Sequence, residues 1–341
     1  MRWRRFPHPE TKPRGPQTWP VFLPFAGCPH RCVFCGQDRQ TGQGVRPLEQ
    51  MHAALQRDLE QEEQRRPRRS LELALFGGTF TALPAPWPER FLELAARHRA
   101  TGLIRRVRCS TRPDTVAPDR LAALRDMGLD VVELGIQSFN DQALLASGRG
   151  YTAAQALQGC RNVREAGLDL GVQLMPGLPG DLPGIFQNDV EQTVRLAPQG
   201  VRLYPCVVID KTPLAQTWQK GGYRPWSLTR TRQELALALG ALFRACIPIL
   251  RVGLHPEPAL LDALLDGPWH PALGQMVRSL ALFDHVRTMA LPLGDGPKLL
   301  RYPQRFSGEI MGHRAELRRC WQRAGVTLRS WRGRDFIVFH P

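Results

Sequence analysis

From residue 19 onward the chain alternates short apolar runs with longer amphipathic stretches. "WPVFLPF" (19–25), "LELALF" (71–76), "IRRVRCS" (104–110), "VVELGIQ" (131–137), "LDLGVQLM" (168–175) and "GVRLYPCVV" (200–208) have the length and β-branched content of strands. Between them, 47–64, 87–99, 117–127, 152–166 and 184–196 carry helical patterns, each closed by Gly, Pro or a polar cluster. Six strands separated by helices predict α/β architecture: parallel βα units in a partial TIM-type (β/α)6 barrel, or opened into a doubly wound sheet. A further helix at 227–245 leads to "ILRVGL" (249–254) and a helical segment within 267–283. The C-terminal stretch changes style, with a helix from about 312 to 323 and two strands, "VTLRSW" and "DFIVFH", around a turn at "RGRD". The expected organisation is a basic, Pro-rich arm over 1–18, a barrel over 19–283 and a small α+β extension over 284–341.

Composition narrows the classes. At 341 residues and 43% hydrophobic the chain can bury a full core. The N-terminal stretch is basic but has no apolar segment of the kind a secretory signal needs, and no run reaches the ~18 apolar residues of a membrane span. A cytoplasmic protein with reduced thiols and no membrane partner is expected. The net charge of +15 suits an anionic partner such as RNA. Only four of the 46 basic residues are lysines, a bias that composition alone also produces. The densest basic runs, at 1–5, 64–69 and 104–108, read equally as solvated faces.

The unusual residues fall after the strands. Cys28, Cys32 and Cys35 follow the first, "GGTF" (77–80) the second and "STRPD" (110–114) the third. Gln137 ends the fourth, Gln173 and "PGLPG" (176–180) the fifth, and Tyr204 to Cys206 the sixth. In a parallel barrel these positions converge on one mouth. The thiols alone leave open a structural zinc site, which wants four ligands and finds no second pair here, and a redox pair at Cys32 and Cys35, which leaves Cys28 unused. Three thiolates on one loop also suit a 4Fe-4S cluster with one iron free for an external ligand.

C-x3-C-x2-C with Phe34 before the last cysteine resembles the radical SAM superfamily. Within it the chain most resembles a short form of the Elongator catalytic subunit, through "GCPHRCVFC" (27–35), "FGGTFT" (76–81), "STRPDT" (110–115), "VELGIQSFND" (132–141), "PGLPG", "VRLYPCVVIDKTPLAQTWQKGGYRP" (201–225) and "GPWHPALGQMV" (267–277). The resemblance implies a 4Fe-4S cluster on Cys28, Cys32 and Cys35, with S-adenosyl-L-methionine (SAM) chelating the free iron. It further implies that Phe34 lies beside the adenine and that Gly77, Gly78 and Thr79 take the methionyl amine, the glycines letting backbone approach the ligand. By likeness to coproporphyrinogen III oxidases, Gln137 and Gln173 would contact the ribose and Arg149 the methionyl carboxylate. The implied chemistry is reductive SAM cleavage to a 5′-deoxyadenosyl radical, fed by a reductant such as flavodoxin or ferredoxin.

For the substrate, the resemblance points to modification of tRNA or another RNA. The alternatives are a small-molecule substrate or a non-catalytic iron-sulfur RNA-binding module. About fifty residues follow the barrel, fewer than an acetyltransferase domain needs, so acetyl-CoA use is not implied. Tyr204 and Arg202, with His255 and His270, are the substrate-side candidates; a core tyrosine and two turn histidines before proline are the plain readings. Of the other cysteines, only Cys206 ends a barrel strand where it could face the site.

Overall fold

The structure, a computed structural model, describes residues 2–11, 15–65 and 69–340; Lys12 and the centre of the basic run at 64–69 lie outside the described residues. In chain order its strands are β1 (Arg2–Phe6), β2 (Gln17–Leu23), β3 (Leu71–Gly77), β4 (Ile104–Thr111), β5 (Val131–Gln137), β6 (Asp169–Leu174), β7 (Gly200–Leu203), β8 (Val208–Ile209), β9 (Ile249–Val252), β10 (Leu264–Asp266), β11 (Lys298–Pro303), β12 (Val326–Trp331) and β13 (Phe336–His340). Strands β2-β3-β4-β5-β6-β7-β9 form one parallel sheet in that order, curled into a half-barrel with helices between consecutive strands. The strands are apolar on both faces because helices cover one side and the barrel interior the other; Leu71 to Leu75 are all buried, Glu72 included. Local chemistry places the helices. Thr152 and Gln155 form a reciprocal capping box at the start of Ala153–Glu165, and Ser227 caps Leu228–Arg244.

The α/β half-barrel expected from the pattern is present, with a seventh strand: the apolar run at 249–254 pairs with β7 as β9. The strand expected over 200–208 is shorter. Pro205 has no N–H to give a ladder, so β7 stops at Leu203 and the chain re-forms as β8, paired with β10 instead. Among the described residues no helix is long and apolar enough to cross a membrane.

The termini depart most from expectation. Residues 2–6 are not a loose arm: β1 pairs antiparallel with β13 and completes a four-stranded sheet, β1-β13-β11-β12. Phe6 is buried there with Leu300, Trp321, Phe336 and Val338. The arm is tied down further by His8 Nε2 to Glu309 Oε1 (3.0 Å) and by Arg278 Nε to Glu10 (2.9 Å). Nor does a boundary fall at 283/284, because the helix Leu273–Ala290 runs through it. Its Leu273, Val277 and Ala281 pack in the barrel core, and its Leu282, Phe283 and Val286 in the C-terminal core. The helix expected over 312–323 is broken; Gly312, Arg314 and Ala315 take positive φ, and regular helix runs only over Arg318–Arg323.

Candidate functional site

The cysteine loop leaves β2 at Leu23 and is clamped to the segment after β3. Gly78 N–H donates to Leu23 O (2.8 Å) and Thr79 N–H to Ala26 O (2.7 Å). A Cβ on Gly78 would stand 2.0 Å from Ala26 O, and one on Gly77 2.8 Å from Leu23 O. These glycines are therefore required by backbone packed on backbone, a different reason from the ligand approach expected of them. Gln37 adds a stitch, accepting from Phe25 N–H (2.7 Å) and donating to Gly77 O (2.8 Å). Gly78→Ala is expected to displace the loop while leaving the barrel folded: far-UV circular dichroism stays unchanged and iron uptake on reconstitution falls sharply.

The three thiols face one cavity of about 460 Å³. Cys28 Sγ lies 3.2 Å from Thr79 Oγ1, and Arg149 Nη1 donates to Cys32 Sγ (2.9 Å). Burial first, and then the charges of Cys32 and Cys28, push the Cys35 thiol up to about 12. Three soft donors crowded together repel as thiolates, and a thiophilic metal centre relieves that repulsion. His30, between them in sequence, lines the same cavity but has its Nε2 engaged 2.9 Å from Gly148 O. The donor set is three sulfurs from one loop, which fits a metal centre that keeps a position for an external ligand.

The facing wall comes from the ends of β3 to β7. Hydroxyls of Thr81, Thr111 and Thr115 bond one another (2.6–3.1 Å) and lock the segments after β3 and β4 together. Gln137, buried at the end of β5, has φ 67°, a strained conformation for a residue other than glycine. Gln173 Nε2 is 3.5 Å from Gln137 Oε1. Arg149 is buried and already engaged: Nε to Tyr151 Oη (2.9 Å), Nη2 to Gly135 O (2.6 Å) and Nη1 to Cys32. These contacts brace the cysteine loop, and the guanidinium also lines the cavity with a second hydrogen on each Nη. The guanidinium carbons of Arg149 and Arg112 lie 5.0 and 5.2 Å from the centre of the Tyr151 ring.

Asp189, on the helix Ile185–Leu196, anchors the turn after Gln137 by accepting from Phe139 N–H (2.6 Å). Burial pushes its carboxyl up to about 7 against the opposing hydrogen bonds of Phe139 and Ser138. An acid whose folded pKa lies above its unfolded value weakens the fold as pH rises between the two. Stability relative to Asp189→Asn should therefore fall from about pH 4 to about pH 7, by on the order of 4 kcal/mol in all, and then level off. Thermal melts of both proteins across that range check it.

A buried charge ladder crosses the barrel interior beneath this wall. Arg108 on β4 donates to Glu72 on β3 (2.8 Å) and to Glu133 on β5. Arg202 on β7 donates to Glu133 Oε2 from Nε (2.7 Å). Glu133 reaches β7 by passing over β6 at Gly171, where a Cβ would meet its Cγ at 2.6 Å. Arg202 and Glu133 line the cavity floor beside Tyr204.

Of the residues expected at the site, Cys28, Cys32, Cys35, Phe34, Gly77, Gly78, Thr79, Gln137, Arg149, Gln173, Tyr204 and His255 all line this one cavity. His270 does not. It meets the His313 ring edge to face (ring centres 5.1 Å apart) and its Nδ1 accepts from Ala272 N–H (3.0 Å), the turn role open to it before Pro271. Cys206 is also excluded, buried beside Tyr223 with the apolar residues behind the cysteine loop. Gln37, Glu133, Arg112 and Arg251 line the cavity without having been singled out as site residues.

A Radical SAM superfamily profile matches residues 22–197, and a Radical SAM C-terminal domain profile matches 198–281. A tRNA uridine(34) acetyltransferase of Dehalococcoides mccartyi is 28% identical over 283 residues, covering 70% of this chain and 60% of its own length. Its namesake in Methanocaldococcus jannaschii is 24% identical over 293 residues, covering 73% and 52%. The chain thus spans little more than half the length of these curated relatives. Among solved structures, the N-terminally truncated archaeal Elp3 of Methanocaldococcus infernus superposes with a TM-score of 0.58 at 20% identity, covering 81% of this chain and 64% of that one.

Proposed function

The chain belongs to the Radical SAM superfamily, and from that membership we propose that it holds a 4Fe-4S cluster on Cys28, Cys32 and Cys35, binds SAM in the adjoining cavity and modifies tRNA or another RNA. The observation that carries the proposal is the convergence of three thiols from one loop on a cavity whose other walls combine polar side chains from strand ends with apolar ones such as Phe22, Phe76 and Met175. When bound, the cluster and SAM together supply reductive cleavage of the sulfonium and a 5′-deoxyadenosyl radical able to take hydrogen from carbon.

The chain's own residues hold and shield that chemistry. Arg149 gives the Cys32 sulfur a cationic hydrogen-bond donor, and the Cys28 sulfur shares a hydrogen bond with the neutral Thr79 hydroxyl. The clamp of Gly78 and Gln37 fixes where the thiols point. Gln137 and Gln173, adjacent across β5 and β6, offer amides suited to a ribose diol, and Phe34 an apolar face suited to adenine. Tyr204 and His255 stand on the substrate side. Electrons would come from a small reductant protein such as flavodoxin or ferredoxin.

The tRNA reading draws on the relatives' names and the basic surface. It is tested by comparing tRNA nucleosides from a deletion strain and its parent by mass spectrometry. Loss of one modified nucleoside, restored by the wild-type gene and not by a Cys32→Ala copy, is expected. Identical nucleoside profiles would move the substrate to the small-molecule class.

A further inference from the structure

The charge ladder in the barrel does not balance at its β9 end. Glu72 is taken by Arg108 and approached by Arg106, Glu133 by Arg108 and Arg202, and Asp169 by Arg106. Arg251 on β9 lies directly opposite Arg202 in the parallel register, so two guanidinium-bearing side chains leave neighbouring strands on one face. Like charges in that relation destabilise a sheet unless something neutralises them. Arg202 has Glu133. Among the described residues Arg251 has no carboxylate within ion-pair distance, and its one hydrogen bond runs from Nε to Gly253 O (3.1 Å). The nearby cavity acid, Glu257, lies 3.1 Å from His255 Nδ1. Both Nη atoms of a half-buried cavity arginine are thus left for something else.

We propose that Arg251 is the anion-recognition residue of this cavity and that the substrate presents an oxyanion, a phosphate or a carboxylate, to its free guanidinium edge. A planar fork of donors matches either group bidentately. Tyr204 Oη, 3.4 Å from Arg202 Nη1, offers a further polar contact on the same side. The inference rests on the cavity being the reaction site and adds to that reading a requirement on the substrate. An RNA meets it through a backbone phosphate and a small acid through its carboxylate.

The test is a calorimetric titration of the iron-reconstituted protein with inorganic phosphate, uridine 5′-monophosphate, uridine and acetate at constant ionic strength. Wild type is compared with Arg251→Ala, Arg251→Lys and, as a control, Arg105→Ala on the exposed side of β4. Wild type and the control are expected to bind the monophosphate about tenfold or more tightly than uridine. Arg251→Ala should lose that preference, and Arg251→Lys, which keeps the charge without the fork, should keep part of it. Preference for acetate over phosphate in wild type, lost in Arg251→Ala, upholds the inference with a carboxylate source. Equal binding of all four probes by wild type and Arg251→Ala overturns it. So does a loss of SAM affinity in Arg251→Ala with anion binding unchanged, which would assign the arginine to the cofactor. The titration needs no turnover, so it decides this inference even where no 5′-deoxyadenosine forms. A protein that cleaves SAM but is blind to these anions upholds the proposed function and sinks the inference.

Discussion

Replacing any one of Cys28, Cys32 or Cys35 by alanine is expected to abolish both the visible absorbance of an iron-sulfur cluster and all formation of 5′-deoxyadenosine, while the protein still folds. The three thiols sit on a loop rather than in the barrel core, so the hydrophobic clusters that hold the half-barrel lose little when one sulfur is removed. No other thiol substitutes: Cys109, Cys160 and Cys206 are buried, and Cys206 is enclosed beside Tyr223. Cys246→Ala, at an exposed position, serves as the control and should load iron normally. Metal analysis and anaerobic turnover read both outcomes. Full iron and full turnover in any of the three variants would remove that cysteine from the site.

Glu133→Ala is expected to cost the most stability of any single change in the cavity floor. Among the described residues its carboxylate is the only one that Arg202 has and one of two that Arg108 has. Removing one partner of a buried ion pair leaves the other charge desolvated and unpaired, at a cost of about 3–5 kcal/mol. Arg106→Ala, at the more exposed end of the same ladder, should cost no more than about 1 kcal/mol. Denaturant melts of the two variants separate the cases; equal losses would mean that the ladder does not act as a buried network. Because Arg202 also lines the cavity, Glu133→Gln, which keeps the shape but not the charge, should disturb substrate handling as well as stability.

Much of this arrangement is legible in the sequence, for physical reasons. The barrel strands are buried on both faces and so appear as short apolar runs, and the strands together with the loops after them carry most of the cavity residues because parallel strands all end at one mouth. The cysteine spacing is local, so the loop can be read without the fold. What escapes the sequence depends on partners far along the chain. "RWRRF" exposes four of its five residues and becomes a strand only because β13, more than three hundred residues away, offers an edge. Gln37 is polar and unremarked until Phe25 and Gly77 come within reach of its amide. Glu72, Arg108 and Glu133 read as stray charges in apolar runs, and only the register of β3 to β7 turns them into a network. A charged residue inside a run that is otherwise a buried strand is the signal that could have found them. His270 shows the converse: a histidine beside a motif proves to be a turn residue.

The most direct test of the whole account is a single assay. The protein, reconstituted anaerobically with iron and sulfide, is incubated with SAM and a strong reductant, and the products are separated by liquid chromatography. Methionine and 5′-deoxyadenosine in equal amounts, absent without reductant and absent in Cys32→Ala, are expected. A protein that takes up a full cluster and returns SAM intact under these conditions would contradict it.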